Sequence, residues 1–171
     1  MKNHFELFQL PVMFEIDAQQ LDAAYRELQS RVHPDKFVTA TDAEKRVAMQ
    51  WATRANEAYQ TLKSPLKRAM YLCEMNGIDL GTESNTAMPM SFLMQQIEWR
   101  EALDEARNSK NQVVLEQLES ELLQSRSHLL SLINHCLNAA QYNDAGGHVR
   151  QLMFIEKFGE EVGRAFELLE A

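Results

Sequence analysis

Asp17–Phe37 reads DAQQLDAAYRELQSRVHPDKF. Asp17 followed three residues later by Gln20 is the pattern of an N-cap with a capping box, in which short polar side chains satisfy the free N–H groups of a helix start. From there Leu21, Tyr25, Leu28 and Val32 recur at helical spacing and predict one apolar stripe. At roughly 100° per residue, Arg26, Ser30 and His33 fall together on the opposite, solvent-facing side. Pro34 ends the helix, because proline lacks an N–H and biases the residue before it toward extended backbone. The expected product is a helix that stops on an exposed His33-Pro34-Asp35 turn. Taken alone, that tripeptide also fits an ordinary helix end with a histidine near the negative end of the dipole.

Upstream, Phe5, Leu7, Phe8 and Leu10 form a short apolar segment stopped at Pro11. Downstream, Thr41 with Glu44 repeats the capping signature, and Val47, Trp51, Ala55, Ala58 and Leu62 predict a second stripe running to about Lys63. Ser64-Pro65 opens another helix with proline at its first position and Leu66, Ala69, Met70 and Leu72 apolar. Gly77, Gly81, Thr82, Ser84, Asn85 and Thr86 then break the periodicity, which predicts a linker over 76–89. Beyond it lie amphipathic segments over 90–107, 111–138 and 142–170, with connections short enough for antiparallel neighbours. Gly146 and Gly147 weaken the last segment, so its first turn is expected to start late. The expected class is all-α: an N-terminal domain over 1–75, built as a helical hairpin with short flanking helices, and a C-terminal three-helix bundle over 90–171.

The chain has 171 residues, 45% of them hydrophobic, enough for a folded core. Its net charge of −8 is uneven. Residues 1–75 balance ten basic against ten acidic residues, whereas 76–171 hold seven and fifteen. An acidic C-terminal half repels phosphate backbones and excludes a nucleic-acid partner. Cys73 and Cys136 are far apart and belong to no CxxC pair, so neither a disulfide framework nor a zinc site is expected. The start, MKNHFELFQLPV, lacks a signal-peptide core and the Arg-rich character of a presequence, and no apolar run approaches a membrane span. A cytoplasmic protein with no membrane partner is expected.

No nucleophile elbow, phosphate-cradling glycine loop or His-Glu metalloprotease motif occurs, so no catalytic residue is nominated and no enzyme activity is expected. His128 and His135 lie two helical turns apart with Cys136 beside them, but spacing supplies no further ligands, and no metal or cofactor is expected there.

YRELQSRVHPDKF at 25–37, followed by NEAYQTLKSPLKRAMYL at 56–72, resembles the J domain. The resemblance implies that His33, Pro34 and Asp35 engage a DnaK-class chaperone and stimulate its ATPase. Arg26, Arg31 and Lys36 become basic neighbours that steer toward an acidic surface, and Tyr25 matches a family position. Two positions often basic in generalist J domains are Asp22 and Glu27, and Val32 stands where an aromatic is common. A dedicated chaperone partner is therefore expected. The chain lacks the Gly/Phe-rich segment and zinc repeats of generalist J proteins. With FLMQQIEWREALDE at 92–105 and an acidic helical C-terminus, it resembles the HscB family, the J-type co-chaperones of iron–sulfur cluster biogenesis.

On the helix over 90–107, Phe92, Gln96, Trp99, Leu103 and Ala106 share the expected core side. Met94, Ile97, Glu98, Glu101 and Glu105 lie opposite, with Leu93 at the edge, as apolar anchors beside a row of carboxylates. In the last helix Ile155, Val162, Phe166 and Leu169 form the expected buried stripe, and Phe154 lies about a quarter-turn off it. Periodicity alone leaves open whether Leu93 and Ile97 are core residues with merely solvated glutamates nearby. The HscB resemblance implies that Leu93, Met94, Ile97, Glu98, Glu101, Glu105 and Phe154 bind the scaffold IscU and deliver it to the chaperone HscA. A monomer is expected.

Overall fold

The computed structural model describes residues 2–81 and 88–171, and every regular element among them is helical. Contacts divide the chain into two compact units, Met1–Leu72 and Cys73–Ala171.

In the first unit α1 (His4–Leu7) is a single turn closed by an Asn3–Glu6 capping box, with Phe5 fully buried. Helix α2 (Ala18–Val32) starts where Asp17 accepts the N–H groups of Gln19 and Gln20. Helix α3 (Asp42–Lys63) starts where Thr41 accepts the Glu44 N–H. Helices α2 and α3 form the expected hairpin. Their polar registers lock it: the Tyr59 hydroxyl donates to Asp22 at 2.7 Å, and the Tyr25 ring stacks on Tyr59 at 4.1 Å. Helix α4 (Pro65–Met75) follows Ser64, whose hydroxyl accepts the Lys67 N–H. Arg68 donates to the Leu62 carbonyl and lies over the Phe14 ring, closing the end of α3 against the apolar N-terminal loop.

The α3 stripe differs from its expected course. Ala48, Ala55, Ala58 and Leu62 are the buried positions, whereas Val47 and Trp51 are exposed. The cause is helix length. With 22 residues against 15, α3 is about 10 Å longer than α2. Because Tyr25 sits opposite Tyr59, Val32 at the end of α2 falls opposite Ala52, and the first turns of α3 have no α2 beside them. On α2 itself only Leu21 is fully buried, with Tyr25, Leu28 and Val32 half-buried.

The second unit consists of α5 (Met90–Ser109), α6 (Gln112–Asn138) and α7 (Tyr142–Glu170), together with the segment from Cys73. Left-handed residues Lys110 and Ala140 make the two tight connections, and Asn111 caps α6. Leu115, Leu118, Leu122, Leu129 and Ile133 of α6 are buried with Val149, Leu152, Ile155 and Val162 of α7. Burial fades toward the C-terminus, where Phe166 and Leu169 of the expected stripe are half-buried. Helix α5 buries Phe92, Trp99, Leu103 and Ala106, as its stripe predicts, with Gln96 half-buried.

Helix α7 begins at Tyr142, with no delayed first turn. Gly146 has a packing reason: a Cβ there would lie 2.8 Å from Ile78 Cγ2 and 3.6 Å from Leu80 Cδ2. The chain reaches this contact through Gly77, whose φ of +80° lets the end of α4 turn back while the Ile78 N–H donates to the Cys73 carbonyl. Arg150 donates to the Asp79 carbonyl at 3.1 Å and secures the segment. Within the stretch expected to be a linker, residues 78–80 are therefore packed on α7. Thr82, Ser84, Asn85 and Thr86 of that stretch lie outside the described residues.

Candidate functional site

Val32 is the last residue of α2, and His33 takes extended backbone (φ −62°, ψ 138°), as a residue before proline should. Pro34–Phe37 then form one 3-10 turn with proline at its first position. His33 organises the turn from both ends. Its carbonyl accepts the Lys36 N–H at 3.0 Å, and its imidazole Nδ1 accepts the Asp35 N–H at 3.2 Å. With Nδ1 serving as acceptor, a neutral His33 carries its proton on Nε2. The Asp35 carboxylate lies 3.5 Å from Nδ1, and both side chains are largely exposed. A polar pair held by its own backbone at a helix end is locally preorganised.

The expected basic neighbours are not equivalent. Arg26 and Lys36 are exposed, as are Ser30 and His33, with His33 already in extended backbone beyond the end of α2. Arg31 instead pairs with Glu27 at 2.6 Å, one helical turn away, which offsets its charge. Tyr25 is half-buried in the α2–α3 interface, where its hydroxyl donates to Asn56 and accepts from Gln29. Asp22 is likewise engaged internally, by Tyr59. Both acids thus lower the positive field of α2, Asp22 while also tying the hairpin and Glu27 through its pair with Arg31.

In the second unit, α5 turns Leu93, Met94 and Ile97 to solvent, the last two more than half exposed, beside exposed Glu98, Glu101 and Glu105. The core option left open for Leu93 and Ile97 is thereby excluded. Phe154 behaves differently: it is half-buried, stacks on Phe158 and Trp99, and meets Phe92 edge-on at 5.8 Å. It thus belongs to an aromatic cluster that supports α5, in contact with Phe92, the residue that precedes Leu93. Trp99 is fixed further by donating to Glu121 at 3.1 Å, and Arg100 pairs with Glu161 while lying over the Phe158 ring. Sequence spacing gave no signal for these cross-helix partners. Met90, 71% exposed at the start of α5, extends the apolar row and was not anticipated.

Residues 3–71 match the DnaJ domain family, and residues 88–163 match the family described as the HSCB C-terminal oligomerisation domain. The chain belongs to the HscB family of J-domain co-chaperones. Curated relatives of this family include the co-chaperone protein HscB homologs of Burkholderia thailandensis, 54% identical, and Paraburkholderia xenovorans, 52% identical. Each alignment covers 98% of this chain and 96% of the relative. Among solved structures, the chaperone HscB from Vibrio cholerae superposes with a TM-score of 0.87 at 36% identity, covering 98% of this chain and 99% of that one. The human co-chaperone HscB shares the fold, with a TM-score of 0.87 at 24% identity over 95% of this chain and 81% of that one. For an HscB-family protein, a resident metal centre would need clustered ligands. Among the described residues no group of three or more His, Cys, Asp and Glu side chains is placed to form one. No helix among them is long and apolar enough to cross a membrane.

Proposed function

We propose that this HscB-family chain binds an IscU-type iron–sulfur scaffold on the outer face of α5, delivers it to an HscA-type chaperone and stimulates that chaperone's ATPase through His33-Pro34-Asp35. It contributes no catalytic group itself. The observation that carries the proposal is the self-organised, solvent-facing His33-Asp35 turn at the end of α2. Arg26 and Lys36 supply steering charge, with Arg31 reduced by Glu27 and Tyr25 acting through the hairpin. On α5, Leu93, Met94 and Ile97 are the apolar anchors, and Glu98, Glu101 and Glu105 form a rim suited to a basic client surface. Phe154 backs that face from the aromatic cluster. Joining two modest contacts in one chain raises the local concentration of scaffold at the chaperone and allows fast exchange at each.

The protein acts in the cytoplasm as a monomer. Its acidic surplus, all in residues 76–171, opposes self-association of the C-terminal unit despite the oligomerisation wording of that family.

The test is the ATPase rate of HscA with this protein, with and without scaffold. His33→Gln should abolish stimulation and leave helicity intact. Alanine at Leu93, Met94, Ile97 and Phe154 should weaken scaffold affinity while preserving stimulation measured without scaffold. Normal stimulation by His33→Gln would remove the chaperone half of the proposal, and unchanged scaffold affinity would remove the client half.

A further inference from the structure

Helices α6 and α7 hold α5 on one side of their seam and carry a groove on the other. On α6 the Trp99 indole donates to Glu121, so that position points to α5, and Leu123 lies two residues on, roughly 200° around the helix. On α7 Glu161 pairs with Arg100 of α5, and Gly159 lies two residues back, again roughly 200° around. The groove between them, of about 660 Å³, has a floor of buried Leu122, Ile155 and Val162. Leu123, 59% exposed, stands as its wall on α6. Gly159 leaves the wall on α7 bare, since a Cβ there would meet nothing within 4 Å. The rim is acidic. Arg126 is taken by Glu156 at 3.1 Å. Glu119 on α6 and Glu160 on α7 remain at the groove edge, both exposed and in no ion pair among the described residues.

We propose that this groove is a second docking site, for an amphipathic helix of a partner protein that carries large aliphatic side chains between lysines and arginines. It goes beyond the chaperone and scaffold contacts and depends on neither. Shape and charge together identify the occupant. The lining residues span two turns of each helix, about 10 Å, which admits a third helix laid along the seam with two aliphatic anchors pointing down. The two unpaired carboxylates then receive its cations. An acidic segment would bring like charges together, and so would a second copy of this acidic unit. Because the groove faces away from α5, such a partner is held while the α5 face stays open, and the bundle can gather two proteins at once.

The probe is a labelled synthetic amphipathic helix of Leu, Ala and Lys, titrated with the full chain and followed by fluorescence anisotropy at physiological ionic strength. It should bind about tenfold more tightly than a twin in which every Lys is Glu. Gly159→Leu fills the groove with a good helix former in open space and should weaken binding about tenfold. Glu119→Lys with Glu160→Lys should reverse the order of the twins. Leu93→Ala with Met94→Ala and Ile97→Ala should leave the affinity unaltered, and a saturating IscU-type scaffold should not displace the probe. Twins that bind equally, or not at all, overturn the proposal. So does parental affinity in Gly159→Leu, displacement by scaffold or loss of binding in the α5 variant, since each places the probe elsewhere, and none of these results bears on ATPase stimulation through His33. A wild-type dimer in sedimentation that Gly159→Leu dissolves assigns the groove to a second copy and overturns the proposal as well.

Discussion

Replacing Gly146 by alanine sets two effects of opposite sign against each other in the second unit. Alanine in the interior of α7 favours the helix by about 1 kcal/mol over glycine, chiefly by restricting the unfolded chain. The new methyl would lie 2.8 Å from Ile78 Cγ2, well inside van der Waals contact, and 3.6 Å from Leu80 Cδ2. Ile78 is branched at Cβ, so its Cγ2 moves only with a change of rotamer or of the backbone through 78–80. That backbone is tied by Arg150 to the Asp79 carbonyl and by Leu80, which is buried. Overpacking of this kind costs about 1–3 kcal/mol, so the net expectation is a loss of about 1 kcal/mol. In an Ile78→Ala background the clash disappears and the same substitution should stabilise by about 1 kcal/mol, a coupling of about 2 kcal/mol. Gly163→Ala, with nothing within 4 Å of its added Cβ, should be stabilising in either background. Urea unfolding followed by Trp99 fluorescence, with exposed Trp51 changed to Phe, reports this unit selectively. A higher midpoint for Gly146→Ala with Ile78 present would refute close approach as the reason for glycine at this position.

Tyr59→Phe removes the donor to the Asp22 carboxylate that joins α2 to α3, for a loss of about 1–2 kcal/mol. Amide exchange across that hairpin should quicken by about 5- to 30-fold, with α6 and α7 unaffected. Burial pushes the Cys73 thiol from its ordinary 9.0 up to about 11, with Glu74 acting in the same direction and Arg150 against it. The folded state therefore disfavours the thiolate, and the stability this contributes is complete below pH 9 and lost as pH rises toward 11. A second-unit urea midpoint that falls over that window, and falls less in Cys73→Ala, is the expected result. Equal slopes in the two proteins would show that Cys73 is not the group responsible.

The N-caps at Asp17 and Thr41, the proline stop at Pro34 and the proline start at Pro65 are local chemistry, acting within four residues of themselves, and so could be read without any partner in view. The same holds for the two sides of α5: Phe92, Trp99, Leu103 and Ala106 against Leu93, Met94 and Ile97, because 3.6-residue periodicity follows from the helix itself. Periodicity says which residues share a face and nothing about whether another helix lies there. Val47 and Trp51 show the difference, since they lie on a good apolar stripe but extend past the end of α2. Gly146 shows it in the other direction: a residue that weakens a helix in isolation is required where Ile78 crosses it. The sequence by itself determined the helices, the His33-Pro34-Asp35 turn and the family. Tertiary structure decided which apolar side chains the core leaves exposed, that Arg31 is offset by Glu27, and that Tyr25 and Phe154 act from within packed clusters. Helix length, register and close approach are properties of pairs of segments, and a single helix carries no record of them.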